Sequence, residues 1–233
     1  MRIFGKGFNY SEDGPGNRLV YHISGCNMRC IWCSNPEGMN TLAGRPISPE
    51  EILKEAISCR PMFFDGGGVT FTGGEATLFS DELIDILELL RENGIHTAIE
   101  TNGTSQRFKE ILELTDYLIM DFKHYDSAEH KKYTALGNET VKKNFESACK
   151  SGRHIHVRIP LINGINTDNP EAFAEYFAMH RTENTVFEFL PYHEYGKEKW
   201  QEQYRVSNGF VDPEVLARFK EVFIENNLKL VET

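Results

Sequence analysis

The sequence predicts an α/β fold of parallel strands with outer helices, and three observations carry that expectation. Short runs rich in β-branched and aromatic residues recur six times along the chain. Longer amphipathic runs with helix-start and helix-stop signals lie between them. Strands that alternate with helices on one chain pair in parallel through right-handed crossovers, either doubly wound or curled toward a barrel.

The strand runs are RLVYHIS (18–24), GVTFT (68–72), HTAIET (96–101), YLIMD (117–121), HIHVRIP (154–160) and VFEFLP (186–191). The first helix is announced by Ser48-Pro49-Glu50-Glu51, a capping box with proline at the first helical position, ahead of ILKEAI. Ser80 is placed to cap DELIDILELLREN, which Gly94 stops. Further helices are expected over 105–114, 138–150, 169–180 and 212–227. No repeat, low-complexity tract or Pro/Ser-rich linker divides the 233 residues, so a single domain, 1–233, is expected.

In folds of this class function gathers at the C-terminal ends of the strands. The unusual residues fall there: a cysteine loop after the first strand, Gly73-Gly74-Glu75 after the second, Glu100-Thr101-Asn102 after the third, Asp121 and Lys123 after the fourth, Arg158 in the fifth and His193 after the sixth.

Composition narrows the partners. A net charge of -10 disfavours nucleic acid and anionic membrane, both of which need a basic face. Residues 1–50 hold five Lys/Arg against four Asp/Glu, so the cysteine-bearing end is the less acidic one. No signal-peptide pattern opens the chain, and no apolar run approaches the roughly 20 residues that span a bilayer. A soluble, cytoplasmic protein is expected.

Five cysteines is an odd number, and three of them stand in GCNMRCIWCSNPEG, residues 25–38. Cys59 and Cys149 are isolated in helical surroundings, which argues against a secreted disulfide framework. Two metal chemistries fit the spacing of Cys26, Cys30 and Cys33. Structural zinc wants four ligands, so a fourth such as His22 would have to join. His22 lies inside a strand pattern, where a packed imidazole is the plainer account. A 4Fe–4S cluster held by three thiolates leaves one iron open to a substrate, which suits chemistry rather than electron transfer. Incidental burial of all three is disfavoured, because Gly25, Asn27, Asn35, Pro36 and Gly38 describe an irregular exposed loop.

Cys-x3-Cys-x2-Cys with Trp32 before the last cysteine, followed by Gly-Gly-Glu at the end of the next strand, resembles the radical S-adenosylmethionine superfamily. More of the chain resembles one branch, the glycyl-radical-enzyme activating enzymes. DGPGNR (13–18), GCNMRCIWCSNPEG (25–38), GGGVTFTGGEA (66–76), IETNG (99–103), MDFKH (120–124), VRIPLINGIN (157–166) and LPYHEYGKEKW (190–200) look like that family's landmarks, in its order. The resemblance runs nearly end to end and implies a partial (β/α)6 barrel of parallel strands with outer helices.

It also implies the site. Cys26, Cys30 and Cys33 would ligate one 4Fe–4S cluster whose open iron is chelated by S-adenosylmethionine. The backbone of Trp32, Cys33 and Ser34 would lie against the adenine, and Gly73, Gly74 and Glu75 would receive the methionine amino group. A strand-end Gly-Gly lets backbone approach a ligand, and an accepting group suits an ammonium. Asp121 and Lys123 match an Asp-x-Lys near the ribose and the methionyl carboxylate, and His193 matches a histidine on the cofactor. Glu100, Asn102, Phe122 and Arg158 complete the expected cofactor surroundings. Asp13 matches a residue near the bound peptide. Taken singly, each has a structural reading too: Asp121 as a strand-end cap, Arg158 as a buried ion-pair member, His193 as a packed ring, Asp13 in an Asp-Gly turn.

Some positions depart from the family pattern. Relatives often carry Asp where Glu100 stands, in a group with Thr101 and Asp121 that can hold a monovalent cation. Ser34 replaces a common histidine, Asn17 an aliphatic residue, and residues 34–68 hold only Cys59, so no second cluster is expected.

The resemblance implies an activase. Reductive cleavage of S-adenosylmethionine gives a 5'-deoxyadenosyl radical that abstracts a Cα hydrogen from a glycine of a partner enzyme, pyruvate formate-lyase or a relative. The electron would come from flavodoxin or ferredoxin, and a monomer is expected. Two alternatives are a radical enzyme acting on a small molecule and a zinc-stabilised, non-catalytic binding module.

Overall fold

Side-chain alternation decides which face of each sheet meets the helices. The computed structural model describes residues 1–231 and divides into two compact units, Met1–Asn27 with Asn35–Ile119, and Met28–Ser34 with the described residues from Met120 onward.

The first unit holds β1 (Arg2–Tyr10), β2 (Asn17–Ile23), β3 (Arg45–Pro46), α1 (Pro49–Cys59), β4 (Gly68–Gly73), α2 (Ser80–Glu92), β5 (Thr97–Thr101) and α3 (Phe108–Leu114). Its strands lie in the order β3-β1-β2-β4-β5. β2, β4 and β5 run parallel, and β1 pairs antiparallel with both β2 and β3. Period-2 alternation sends Leu19, Tyr21, Ile23, Val69, Phe71 and Ile99 into one core with Ile52, Leu83, Leu87, Leu90 and Ile111 of the helices. The alternate residues, Arg18, His22, Thr70, Thr72 and Glu100, therefore line the opposite, polar face.

β6 (Tyr117–Asp121) carries the chain into the second unit, which holds α4 (Ser127–Thr134), α5 (Glu139–Ser151), β7 (Ile155–Leu161), α6 (Pro170–Ala178), β8 (Thr185–Pro191), α7 (Pro213–Glu225) and β9 (Lys229–Leu230). β7, β8 and β9 are adjacent and parallel. The core here is aromatic. Phe177 lies 4.8 Å from Phe122, 5.2 Å from Phe145 and 4.7 Å from Phe187, all edge-on or tilted, the arrangement ring quadrupoles favour. His156, Arg158 and Glu188 point to the other face of β7 and β8.

All six expected strands form within a residue or two of their expected bounds, and the parallel α/β class holds. The Ser48 capping box forms as expected. Ser80 is different: it is the first residue of α2 rather than its cap, and its hydroxyl donates to the Thr77 carbonyl at 2.6 Å. α3 starts at Phe108 rather than 105 because Ser105 accepts from the Arg107 amide and holds a turn there. β1, β3, β9 and α4 stand outside the expectation. β1 carries Gly5 and Gly7 and no clean alternation, and α4 buries only His130 and Thr134. Among the described residues no helix is long and apolar enough to cross a membrane.

Candidate active site

The glycines of the Gly73-Gly74-Glu75 turn are dictated by what packs on them. Gly73 has φ of +111°, open to glycine at little cost. A Cβ on Gly74 would stand 2.2 Å from the Gly25 carbonyl and 2.4 Å from that of Gly38. The close approach is closed by hydrogen bonds from Gly74 N to Ile23 O (2.8 Å), Glu75 N to Gly25 O (2.8 Å) and Gly25 N to Gly38 O (2.7 Å). The turn after β4 is thus bound to the residue just before Cys26.

Glu75 is buried, at 2% exposure, and both oxygens of its carboxylate accept hydrogen bonds. Oε1 accepts from Thr77 N (2.9 Å), Thr77 Oγ1 (2.5 Å) and Thr101 Oγ1 (2.7 Å), and Oε2 accepts from Asn102 N (2.7 Å). Burial raises the carboxyl above its ordinary value, and these donors oppose that rise without cancelling it. Two of them are backbone N–H groups, which cannot accept a carboxyl proton. The network continues: Asn102 Nδ2 donates to Asn27 Oδ1 (3.0 Å), and Asn27 Nδ2 donates to Thr104 Oγ1 (2.8 Å). Glu75 therefore fastens the end of β5 to its own turn, and Asn102 fastens it to the residue after Cys26.

In the second unit the segment Met28–Ser34 is held on two sides. Arg29 N donates to Thr134 O (2.7 Å) and Ile31 N to Tyr133 O (3.2 Å), while Cys33 N closes a turn on Cys30 O (3.1 Å). From the chain after β8, Trp200 Nε1 donates to Cys33 O (3.0 Å) and Lys199 Nζ to Ser34 O (3.2 Å). Gly196 packs so tightly that a Cβ would lie 2.4 Å from Ser34 Cα. Trp32 and Ile31 sit against an apolar cluster of Ile162, Tyr192 and Val206.

The other expected residues have partners within the chain. Asp121 and Lys123 form an ion pair at 2.8 Å. Arg158 Nε donates to Glu188 Oε2 at 2.8 Å, and His156 Nε2 lies 3.0 Å from the same oxygen. Burial pushes the Glu188 carboxyl up, but the hydrogen bond from His156 and the charge of Arg158 outweigh it and hold it at about 2. His193 stacks on Tyr195 at 4.2 Å and its Nδ1 accepts from Tyr195 N; burial lowers its basicity. Glu100 accepts from Thr72 Oγ1 at 2.7 Å. The Phe122 ring is in the aromatic core, 1% exposed, so only its backbone, whose N donates to Arg158 O, is free of that packing. Asp13 accepts from Asn9 Nδ2 at 2.6 Å, and its carbonyl accepts from Thr70 Oγ1. His22 packs its ring on Phe4 at 5.6 Å.

Among the described residues no disulfide forms; Cys30 and Cys149 are buried, and Cys26, Cys33 and Cys59 are half-buried. No three His, Cys, Asp or Glu groups are gathered as a metal-ion site among those residues. The fit to a 4Fe–4S cluster therefore rests on the donor set: three thiols in one loop, the soft sulfur ligands that iron–sulfur clusters take. Burial lifts the thiol of Cys149, outside that loop, to about 11, which makes it a poor ligand.

The Radical SAM superfamily model matches residues 20–177. The chain belongs to that superfamily. Membership implies a 4Fe–4S cluster and S-adenosylmethionine as cofactors. It is 37% identical over 227 residues to the pyruvate formate-lyase-activating enzyme of Clostridium pasteurianum, covering 93% of this chain and 92% of that one. Against the pyruvate formate-lyase 1-activating enzyme of Escherichia coli K12 the identity is 32%, over 81% of this chain and 79% of that one. Among solved structures, a domain of pyruvate-formate lyase-activating enzyme from Bacteroides vulgatus aligns with a TM-score of 0.61 and 30% identity, covering 71% of this chain and 98% of that chain. A radical SAM methyltransferase from Sphaerobacter thermophilus aligns with a TM-score of 0.67 over 97% of this chain and 72% of that chain, and at 14% identity it speaks to fold alone.

Asn27, Thr77, Gly196 and Trp200 also hold the site's turns, without a role assigned to them by local sequence pattern. Trp200 had a signal: a partly buried indole N–H needs an acceptor. Asn27 had none, since its partner Thr104 lies 77 residues away.

Proposed function

We propose that the protein is a glycyl-radical-enzyme activase, a radical SAM oxidoreductase whose substrate is a backbone glycine of pyruvate formate-lyase or a related enzyme. The near full-length match to the activating enzymes carries this reading. The chain's own contacts support it, because the turns after β2, β4 and β5 are cross-bonded where a cofactor would be received.

In this reading Cys26, Cys30 and Cys33 hold one 4Fe–4S cluster. The bound group supplies the one-electron reductive cleavage of S-adenosylmethionine that yields a hydrogen-abstracting radical. The chain supplies position and dryness. The backbone of Trp32, Cys33 and Ser34, clamped by Gly196 and Trp200, is the bed for the adenine. Gly73 and Gly74 offer carbonyl oxygens to the methionine ammonium, while Glu75 keeps their turn in place. Asp121, Lys123, Arg158 and His193 meet the ribose and the carboxylate, and Asn102 and the Phe122 backbone belong to the same proposed cofactor set. A monovalent cation near Glu100, Thr101 and Asp121 belongs to the same proposal, as does Asp13 beside the substrate peptide.

We take the protein to work as a monomer in the cytoplasm, reduced by flavodoxin or ferredoxin, and residues 1–233 to act as one radical SAM domain, since the family match spans residues of both units. The test is electron paramagnetic resonance on the anaerobically reduced protein mixed with S-adenosylmethionine and pyruvate formate-lyase. A glycine-derived doublet that is absent with Cys30→Ala supports the activase. Cofactor cleavage that ignores every glycine-loop protein and responds to a small molecule refutes it.

A further inference from the structure

The segment Asp13-Gly14-Pro15-Gly16 folds against the polar face of β2, β4 and β5 at the end where these strands begin. Gly14 is buried there, and a Cβ on it would stand 3.1 Å from Arg18 Cδ and 3.3 Å from Ala98 Cβ. Both neighbours belong to that face, since Arg18 alternates with Leu19 and Ala98 with Ile99 of the helix-facing core. Thr70, fully buried on the same face, donates its hydroxyl to the Asp13 carbonyl at 2.8 Å. Two residues on, about 7 Å along β4, Thr72 donates to Glu100. The main chain of Asp13 is thereby fixed one step below Glu100, which the proposed function sets beside the cofactor.

The segment is held on several sides. The fully buried Arg18 donates to Thr70 Oγ1 (2.5 Å), Val69 O (2.7 Å), Pro15 O (3.1 Å) and Gly66 O (3.4 Å), so one guanidinium ties the loop to β4. Gly16 has φ of +66°, and a Cβ there would stand 2.3 Å from Phe64 O. Asn9, in register with Arg18 across β1 and β2, donates Nδ2 to Asp13 Oδ2 at 2.6 Å. One atom of this arrangement is unspent. Asp13 is half-buried, and its Oδ1 accepts no hydrogen bond among the described residues. A carboxylate oxygen partly withdrawn from water is costly unless a donor reaches it. With its main chain and Oδ2 both fixed, Asp13 holds Oδ1 in place beforehand, so little freedom is lost when a donor arrives.

A glycine drawn out of its own fold brings backbone N–H groups that have lost their partners, and at a residue without a side chain these are the donors on offer. Bonds from such groups to a carboxylate are the stronger, charge-assisted kind. We propose that Asn9 and Thr70 are positioning residues for the substrate: they set Asp13 Oδ1 to accept a backbone N–H of the partner's glycine loop. The inference rests on the activase reading, which puts Asp13 beside the substrate peptide, and it names what holds Asp13 there and which bond it makes.

The experiment measures radical formation on a synthetic peptide of the glycine loop by the reconstituted holoenzyme, for wild type, Asn9→Ala, Thr70→Val, Thr70→Ser and Asp13→Ala. Asn9→Ala and Thr70→Val should each raise the peptide KM about tenfold, as loss of one hydrogen bond to a charged group does, with the KM for S-adenosylmethionine unmoved. Thr70→Ser keeps the hydroxyl and should restore the wild-type value. Thr70→Val also takes the acceptor from Arg18 Nε, so its melting midpoint should fall; Asn9→Ala leaves Arg18 its acceptors and carries the test if Thr70→Val does not fold. Peptides with a single amide exchanged for an ester identify the donor: one position should raise KM for wild type and leave it unchanged for Asp13→Ala, and the lack of any such position overturns the backbone contact. An unchanged peptide KM in Asn9→Ala and Thr70→Val, alongside a raised one in Asp13→Ala, overturns the positioning inference alone. An equal rise in the KM for S-adenosylmethionine overturns it in favour of a general loosening of the polar face. An unchanged peptide KM in Asp13→Ala removes Asp13 from the substrate and the inference with it. If the wild type puts a radical on no glycine at all, the activase reading itself falls.

Discussion

Replacing Glu75 with alanine should destabilise the protein before any cofactor is bound. The carboxylate accepts four hydrogen bonds at 2.5–2.9 Å while 2% exposed. In Glu75→Ala the hydroxyls of Thr77 and Thr101 can turn to other acceptors, but the N–H groups of Thr77 and Asn102 cannot. Each buried donor left without a partner costs about 1–3 kcal/mol, so the loss is roughly 2–6 kcal/mol. For a chain of this size that lowers the melting midpoint by at least about 4 °C. Glu75→Gln keeps the shape but turns an N–H toward a former donor, so an intermediate loss is expected. The assay is thermal and urea unfolding of cluster-free protein without S-adenosylmethionine. A carboxylate whose task was to meet the methionine ammonium would be a stability liability in that state, and its removal would cost nothing. A Glu75→Ala midpoint within about 1 °C of wild type, alongside lost cofactor affinity, would refute the positioning argument.

Three further outcomes follow from the contacts. Cys26→Ala, Cys30→Ala and Cys33→Ala should each abolish the iron content and visible absorbance of the reconstituted protein, whereas Cys59→Ala and Cys149→Ala should keep both; cluster loss in either of the latter pair contradicts the ligand set. Trp200→Phe removes the indole donor from Cys33 O at a cost of about 1 kcal/mol, so the cluster should be stripped faster by a chelator at unchanged iron stoichiometry, and an unchanged stripping rate would deny the clamp. Glu188 sets an acid limit: its folded carboxyl is held at about 2 against an ordinary 4.5, so the stability it adds is present above pH 4.5 and is lost as the pH falls toward 2. Glu188→Gln should therefore flatten the pH dependence of the urea midpoint over that window, and an unaltered slope would place the acid sensitivity elsewhere.

The six main strands were legible because each is a compact β-rich run bounded by turn residues, and the α1 cap because its two carboxylate and hydroxyl partners are three residues apart. β1 was not, because its stability comes from pairing with β2 across the Ser11–Gly16 turn rather than from its own glycine-broken pattern. The site divides in the same way. Which residues stand at strand ends follows from local pattern, so Gly73, Glu75, Glu100 and Asp121 could be named. What each touches depends on pairings across 26 residues for Thr101 with Glu75, 75 for Asn102 with Asn27 and 167 for Trp200 with Cys33, and no local pattern encodes those.

This difference changes how cofactor binding has to be understood. Lys123 is bonded to Asp121, Arg158 to Glu188, and Glu75 to four donors of its own unit. None of these side chains waits as a bare charge, which would itself be costly in a half-buried setting. If the proposed site holds, a methionyl carboxylate at Lys123 or Arg158 would share or displace an existing carboxylate, so its affinity would be the difference between two ion pairs rather than the full strength of one. Glu75 has no such exchange available, since two of its donors are backbone N–H groups fixed by the turns they close. The polar residues proposed for the cofactor thus fall into two kinds: the pairs at Asp121–Lys123 and Arg158–Glu188 can re-partner, whereas the Glu75 network is fixed by the turns after β4 and β5 that it closes.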